Sequence, residues 1–125
     1  MPLVVEQRDR VTVLTLDDPP KRNALGLEMV DQIVEAVTAA EKDESVGALV
    51  VTGAPPAFCS GADRSNLAQL RVEHGGEPAD VRSIYEGFLS VRDCSLPTLA
   101  AVNGPAVGAG FNLAMCCDVI LAAES

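Results

Sequence analysis

The stretch from Val102 to Asp118 constrains this chain more than any other. The apolar run 99–102 leads into Asn103-Gly104-Pro105-Ala106-Val107-Gly108-Ala109-Gly110, and Phe111-Asn112-Leu113-Ala114-Met115-Cys116-Cys117-Asp118 follows. The order reads as a strand, a glycine turn and the start of an apolar helix. At such a junction backbone N–H groups point outward without intrahelical partners. The place suits a developing negative charge and needs no side-chain catalyst of its own. Close packing is the other use of such glycines, and this stretch alone does not choose between the two.

Upstream, the pattern alternates between strand and helix periods. Residues 3–8 and 10–16 read as two strands, the second with Val11, Thr12, Val13 and Thr15 β-branched and its pattern roughly alternating, and Asp9-Arg10 reads as a hairpin turn. Asp17-Asp18-Pro19-Pro20 ends the second, because proline cannot pair within a ladder. Lys21 to Leu25 reads as a loop. Gly26 is placed to cap a helix in which Leu27, Val30, Ile33, Val34, Val37 and Ala40 recur at helical spacing through Lys42. The continuous run 48–52 predicts a strand buried on both faces. Strand, crossover helix and strand together predict an α/β fold with a parallel component. After the turn-rich loop 53–63, helices are expected over 64–72 and 80–93, with a Gly/Pro-rich loop 73–78 between them. The stripe of the second is Val81, Ile84, Tyr85, Phe88, Leu89 and Val91, and a last strand is expected over 118–123.

A chain of 125 residues is one domain, and a chain of this size buries roughly two thirds of its unfolded surface. Trp is absent and aromatics are 3%, so the core must be Val, Leu, Ile and Ala. A net charge of −9 leaves no basic face for nucleic acid. Cys59, Cys94, Cys116 and Cys117 lie in or beside apolar runs and form no C-x-x-C, which predicts buried thiols in a reducing compartment. With no leader pattern and no apolar run of about 18 residues, a cytoplasmic protein without a membrane span is expected.

Several chemistries fail on the residues. Ser60 lacks the flanking glycine of a nucleophile elbow, and the lone His74 sits in the Gly/Pro loop. One histidine and dispersed cysteines give no zinc set. Gly108-Ala109-Gly110 begins like a dinucleotide fingerprint, but Leu113 stands where its third glycine belongs. What remains is a pair of glycine-containing loops, 60–63 and 108–110, each after a strand and before a helix. Each can aim one main-chain N–H at a common point, and two such donors form an oxyanion hole.

These loops carry a resemblance. Pro20-Lys21-Arg22-Asn23-Ala24-Leu25, Phe58-Cys59-Ser60-Gly61-Ala62-Asp63 and the segments 102–104, 112–114 and 117–118 resemble, in order, motifs of the enoyl-CoA hydratase/isomerase (crotonase) family. The resemblance implies a spiral core of repeated β-β-α units, of which this chain would be the N-terminal half. It implies an acyl-CoA thioester as substrate, with its carbonyl oxygen held by the N–H groups of Ala62 and Ala109. Coenzyme A would then be part of the substrate, not a separate cofactor. Lys21, Arg22 and Arg64 would supply charge for its phosphates, and Ala24, Ser60, Gly61, Asp63 and Gly108 would line its path.

The resemblance also has two departures. Family hydratases carry a glutamate where this chain has Asn112, and an amide cannot take a proton from water. Asn112 can orient water or substrate, so double-bond isomerisation, which needs one acid/base group, is favoured over hydration. Hydration proper and non-catalytic acyl-CoA binding are the alternatives. The family's second catalytic carboxylate, and the helices that assemble trimers or dimers of trimers, are expected beyond Ser125. Asp63 and Glu124 read as structural carboxylates.

Overall fold

The computed structural model describes residues 2–62 and 79–124. Strands β1 (Leu3–Arg8) and β2 (Val11–Leu16) form an antiparallel hairpin. Asp9 turns it at φ 55°, a conformation that aspartate tolerates better than most residues, so the turn keeps Arg10 out of the strand. A short 3₁₀ turn, Pro19–Lys21, precedes helix α1 (Leu27–Lys42). Strand β3 (Ala48–Gly53), helix α2 (Ala79–Arg92), strand β4 (Thr98–Val102), helix α3 (Ala109–Met115) and strand β5 (Val119–Ala122) complete the order. The sheet runs β1-β2-β3-β4-β5, parallel from β2 onward.

Each strand is thus laid beside its predecessor, which makes the chain a spiral. The second strand of each expected unit is reduced to single bridges. Leu25 pairs with Ala62, and Cys59 with Ala106, both in parallel sense. These bridges stack the strand-to-helix loops above the sheet, as the β-β-α expectation requires.

The core lies between one sheet face and the helices. Leu14, Val51 and Ala100 stand side by side in register and none exposes more than 1%. Helix α1 turns Met29, Val30, Ile33, Val37 and Ala40 into this core, while Leu27 and Val34 of the predicted stripe are half-buried. In α2, Phe88 and Val91 are buried but Tyr85 is exposed.

Strand β3 departs from expectation. Leu49, Val51 and Gly53 are buried, but Ala48, Val50 and Thr52 are only half-buried. The alternation shows that, among the described residues, the helices cover one face of the strand more fully than the other. Strand β5 begins at Val119, not Asp118, because the Asp118 carboxylate accepts the Thr98 N–H at 3.0 Å and its own N–H reaches the Thr98 carbonyl at 3.0 Å. The helix expected over 64–72 and the loop 73–78, with His74, lie outside the described residues. Among the described residues no helix is long and apolar enough to cross a membrane, and no cluster of His, Cys, Asp or Glu is placed to hold a metal ion.

Candidate active site

Three loops meet above the carboxyl ends of β2, β3 and β4, and main-chain hydrogen bonds lace them together. From the first loop, Leu25 N donates to the Gly61 carbonyl at 2.7 Å, while the Arg22 carbonyl accepts Ser60 N at 3.0 Å. The Ser60 hydroxyl donates to the Lys21 carbonyl at 2.9 Å. From the third, Val107 N donates to the Cys59 carbonyl at 3.0 Å, and the Pro105 carbonyl accepts Phe58 N at 3.1 Å. The second loop is therefore held from both sides.

The anchor of the cluster is Asn23, which is fully buried. Its Oδ1 accepts Asp18 N at 2.8 Å. Its Nδ2 donates to the carbonyls of Ala54 and Ala57, both at 2.9 Å, and of Phe58 at 3.3 Å. Asn103 adds to the same scaffold, accepting Gly53 N at 3.1 Å and donating to the Ala57 carbonyl at 3.2 Å. Neither amide was singled out by the sequence reading as a site residue. One signal was available: Asn23 follows Lys21-Arg22 in a loop, and both Arg22 (φ 51°) and Asn23 (φ 60°) adopt the left-handed conformation that asparagine tolerates.

Two amide groups of the cluster are left over. Ala109 is the first residue of α3, where no intrahelical acceptor exists. Ala62 sits at the bridge to Leu25, whose N–H is spent on Gly61, not on Ala62. Among the described residues neither the Ala62 nor the Ala109 N–H donates a hydrogen bond. Both residues are half-buried. Gly108, the cap of α3, has φ 55° and ψ −120°, which only glycine adopts readily, and this turn presents the Ala109 amide.

The other predicted residues fall around this centre. Lys21 and Arg22 are exposed, Ala24 and Ser60 half-buried, Gly61 buried and Gly108 exposed. Lys21 and Ala24 border a small cleft of about 160 Å³ that also contacts Asp18, Glu28 and Met29. Asn112 is exposed on α3, one turn beyond Gly108, whose carbonyl accepts its N–H at 3.1 Å. Asp63 and Arg64 lie outside the described residues. A roomier cavity of about 340 Å³ lies elsewhere, between the β1–β2 hairpin and α1.

All four cysteines are free thiols, but only Cys59 and Cys117 are buried; Cys94 and Cys116 are half-buried. Both of the latter lie where a helix has just ended, at the edge of the core, so the expectation of four buried thiols holds for two. Burial pushes the Cys59 thiol up to about 11, against the smaller opposing effect of hydrogen bonding to Gly61 and Leu25. Because the folded value is above the unfolded one, the stability is intact below the unfolded value and is lost as pH rises from about 9 toward 11. For Cys59 this amounts to about 2–3 kcal/mol. Urea midpoints measured from pH 8.5 to 10.5 should fall less steeply in Cys59→Ala than in the wild type.

The stacked strand–bridge–helix turns define a crotonase-type α/β spiral. The chain belongs to the enoyl-CoA hydratase/isomerase family: a model of the family described as enoyl-CoA hydratase/isomerase matches residues 6–125. A probable enoyl-CoA hydratase of Mycobacterium tuberculosis, EchA14, is 47% identical over 123 residues, covering 97% of this chain and 46% of the relative. The 2,3-dehydroadipyl-CoA hydratase of Escherichia coli is 37% identical over 98% of this chain and 47% of its own length. An enoyl-CoA hydratase/carnithine racemase structure from Magnetospirillum magneticum superposes with a TM-score of 0.91 at 32% identity, over 100% of this chain and 47% of that one. The chain spans about half the length of the curated relatives it matches.

Proposed function

We propose that the protein acts on an acyl-CoA thioester and stabilises its enolate through the N–H groups of Ala62 and Ala109. The observation that carries this reading is the pair of amides without acceptors among the described residues, on loops locked to one another. An enolate oxygen bears charge that the ground-state carbonyl does not, so fixed donors lower the barrier more than they tighten binding. Lys21, Arg22 and Arg64 are proposed to meet the phosphates of coenzyme A, on a protein otherwise too acidic to attract them. Ala24, Ser60, Gly61, Asp63 and Gly108 are proposed to line the thioester's path. The acid/base group is supplied from outside these 125 residues, and assembly into trimers, or dimers of trimers, goes with the same reading.

Ala109→Pro tests the hole directly. Proline is accepted at the first helical position, and the Gly108 conformation mirrors the extended one that normally precedes proline. The substitution removes one N–H and little else. Turnover should fall about 100- to 1,000-fold, the effect of losing one oxyanion donor, while the melting temperature holds. Unchanged turnover would remove Ala109 from the mechanism.

Isomerisation of a β,γ- to an α,β-enoyl thioester is our first choice of reaction, because Asn112 cannot act as a base. Hydration is the second reading, favoured by the names of the relatives, hydratases among them. The two separate when the protein is given a 3-enoyl-CoA and a 2-enoyl-CoA in turn. Asn112→Glu should raise water addition to the 2-enoyl thioester if the missing carboxylate is the only defect. Binding of both thioesters without turnover would leave an acyl-CoA-binding protein.

A further inference from the structure

A groove of about 340 Å³ lies between the edge strand β1 and helix α1, on the side of the fold away from the Ala62–Ala109 amides. Alanine at 36, 39 and 40 sets the helix surface back and opens the space beside the strand. The floor holds Thr12, which is 4% exposed and whose hydroxyl has no hydrogen-bond partner among the described residues. The charged residues on the lining are the carboxylates of Glu35 and Asp43, with no lysine or arginine among the described residues.

Among the described residues nothing pairs with the strand edge along this groove. Leu3 N donates to Oε1 of Gln32 on α1 at 3.0 Å, away from β2. Antiparallel ladders alternate between bonded and non-bonded pairs, so the N–H and C=O groups of Val5 and Gln7 point the same way as those of Leu3. Their side chains line the groove. Unpaired strand amides, a recess for alternate side chains and a negative rim occur together.

We infer that this groove binds an extended peptide segment that adds to β1 as a strand and carries basic residues toward Glu35 and Asp43. Main-chain bonds to Val5 and Gln7 supply affinity, and the recess and rim supply selection. Lysine suits the groove because its stem can lie on the alanines while the ammonium reaches a carboxylate. A second copy of this chain is a poorer occupant, since it brings its own Glu35 and Asp43 and a charge of −9 to the same edge.

The test uses the protein as expressed from its own gene and a fluorescein-labelled peptide, Thr-Lys-Thr-Val-Thr-Lys-Thr, followed by anisotropy. Saturable binding at least about tenfold tighter than for the peptide with Glu in place of Lys is expected, weakening with added salt. N-methylation of one alternate set of peptide amides should abolish binding, and of the other set leave it, because only one edge of an added strand meets β1. Ala39→Arg, at an exposed position of α1, should also abolish it without lowering the melting temperature. Equal binding of the acidic peptide, indifference to either N-methylated set, or no binding at about 1 mM would overturn the inference. So would self-association of the protein that Ala39→Arg disrupts, because the occupant would then be a second copy.

Discussion

Replacing Asn23 by aspartate should destabilise the protein by about 3–5 kcal/mol, although the two side chains have nearly the same shape. The Nδ2 of Asn23 donates to three carbonyls, those of Ala54, Ala57 and Phe58. An aspartate would instead direct a carboxylate oxygen at the same three acceptors, in a site with no solvent exposure. Repulsion and desolvation then act together, and a buried charge without a partner is among the most costly defects a fold can carry. A loss of more than about 10 °C in melting temperature is expected. Asn23→Ala should also destabilise, but less, because it leaves orphaned groups without adding charge. Acidification should recover part of the aspartate variant's loss, since a protonated carboxyl regains one donor, and should not help the alanine variant. If the two variants melt alike at neutral pH and at pH 5, the anchoring role assigned to the Asn23 amide is wrong.

Gly110→Ala should reverse the usual sign of a glycine-to-alanine change within a helix. In an unconstrained helix interior the substitution stabilises by about 1 kcal/mol. Here a Cβ at position 110 would overlap the Cys59 carbonyl oxygen and stand 2.7 Å from the Cys59 Cβ. Cys59 is fully buried and pinned through Pro105 and Val107, so it cannot yield. Helix α3 must move away from the loop that carries Ala62. Overpacking of this kind costs about 1–3 kcal/mol, which melting curves would record. The effect on turnover should be larger, because a displacement near 1 Å between positioned groups can cost about 100-fold. A kcat decrease with little change in KM is the expected pattern if the proposed hole no longer fits an enolate. A Gly110→Ala protein with full activity would show that the spacing of the two amides is not used.

The physics of each segment was legible along the chain. Periodicity placed α1 at 27–42 with its Gly26 cap, because helix faces and caps are local properties. The strand pattern and the Asp9 turn gave the hairpin for the same reason, and loop glycines at 61 and 108 marked where main-chain amides turn outward. Tertiary structure decided the rest. Whether β3 is covered on one face or two depends on which helices lie over it, and nothing within the run 48–52 records that. Asn23 is ordinary in sequence because its four hydrogen-bond partners lie 5 to 35 residues away. Gly110 is likewise one glycine among several until the fold brings the Cys59 carbonyl against it. The groove beside β1 has no sequence signature at all, since it forms where the edge of a hairpin and the alanine face of a distant helix fail to touch. The sequence determined which backbone groups turn outward; the packing of loop on loop decided which of them, among the described residues, remain without a partner, because a hydrogen bond is satisfied in space and not along the chain.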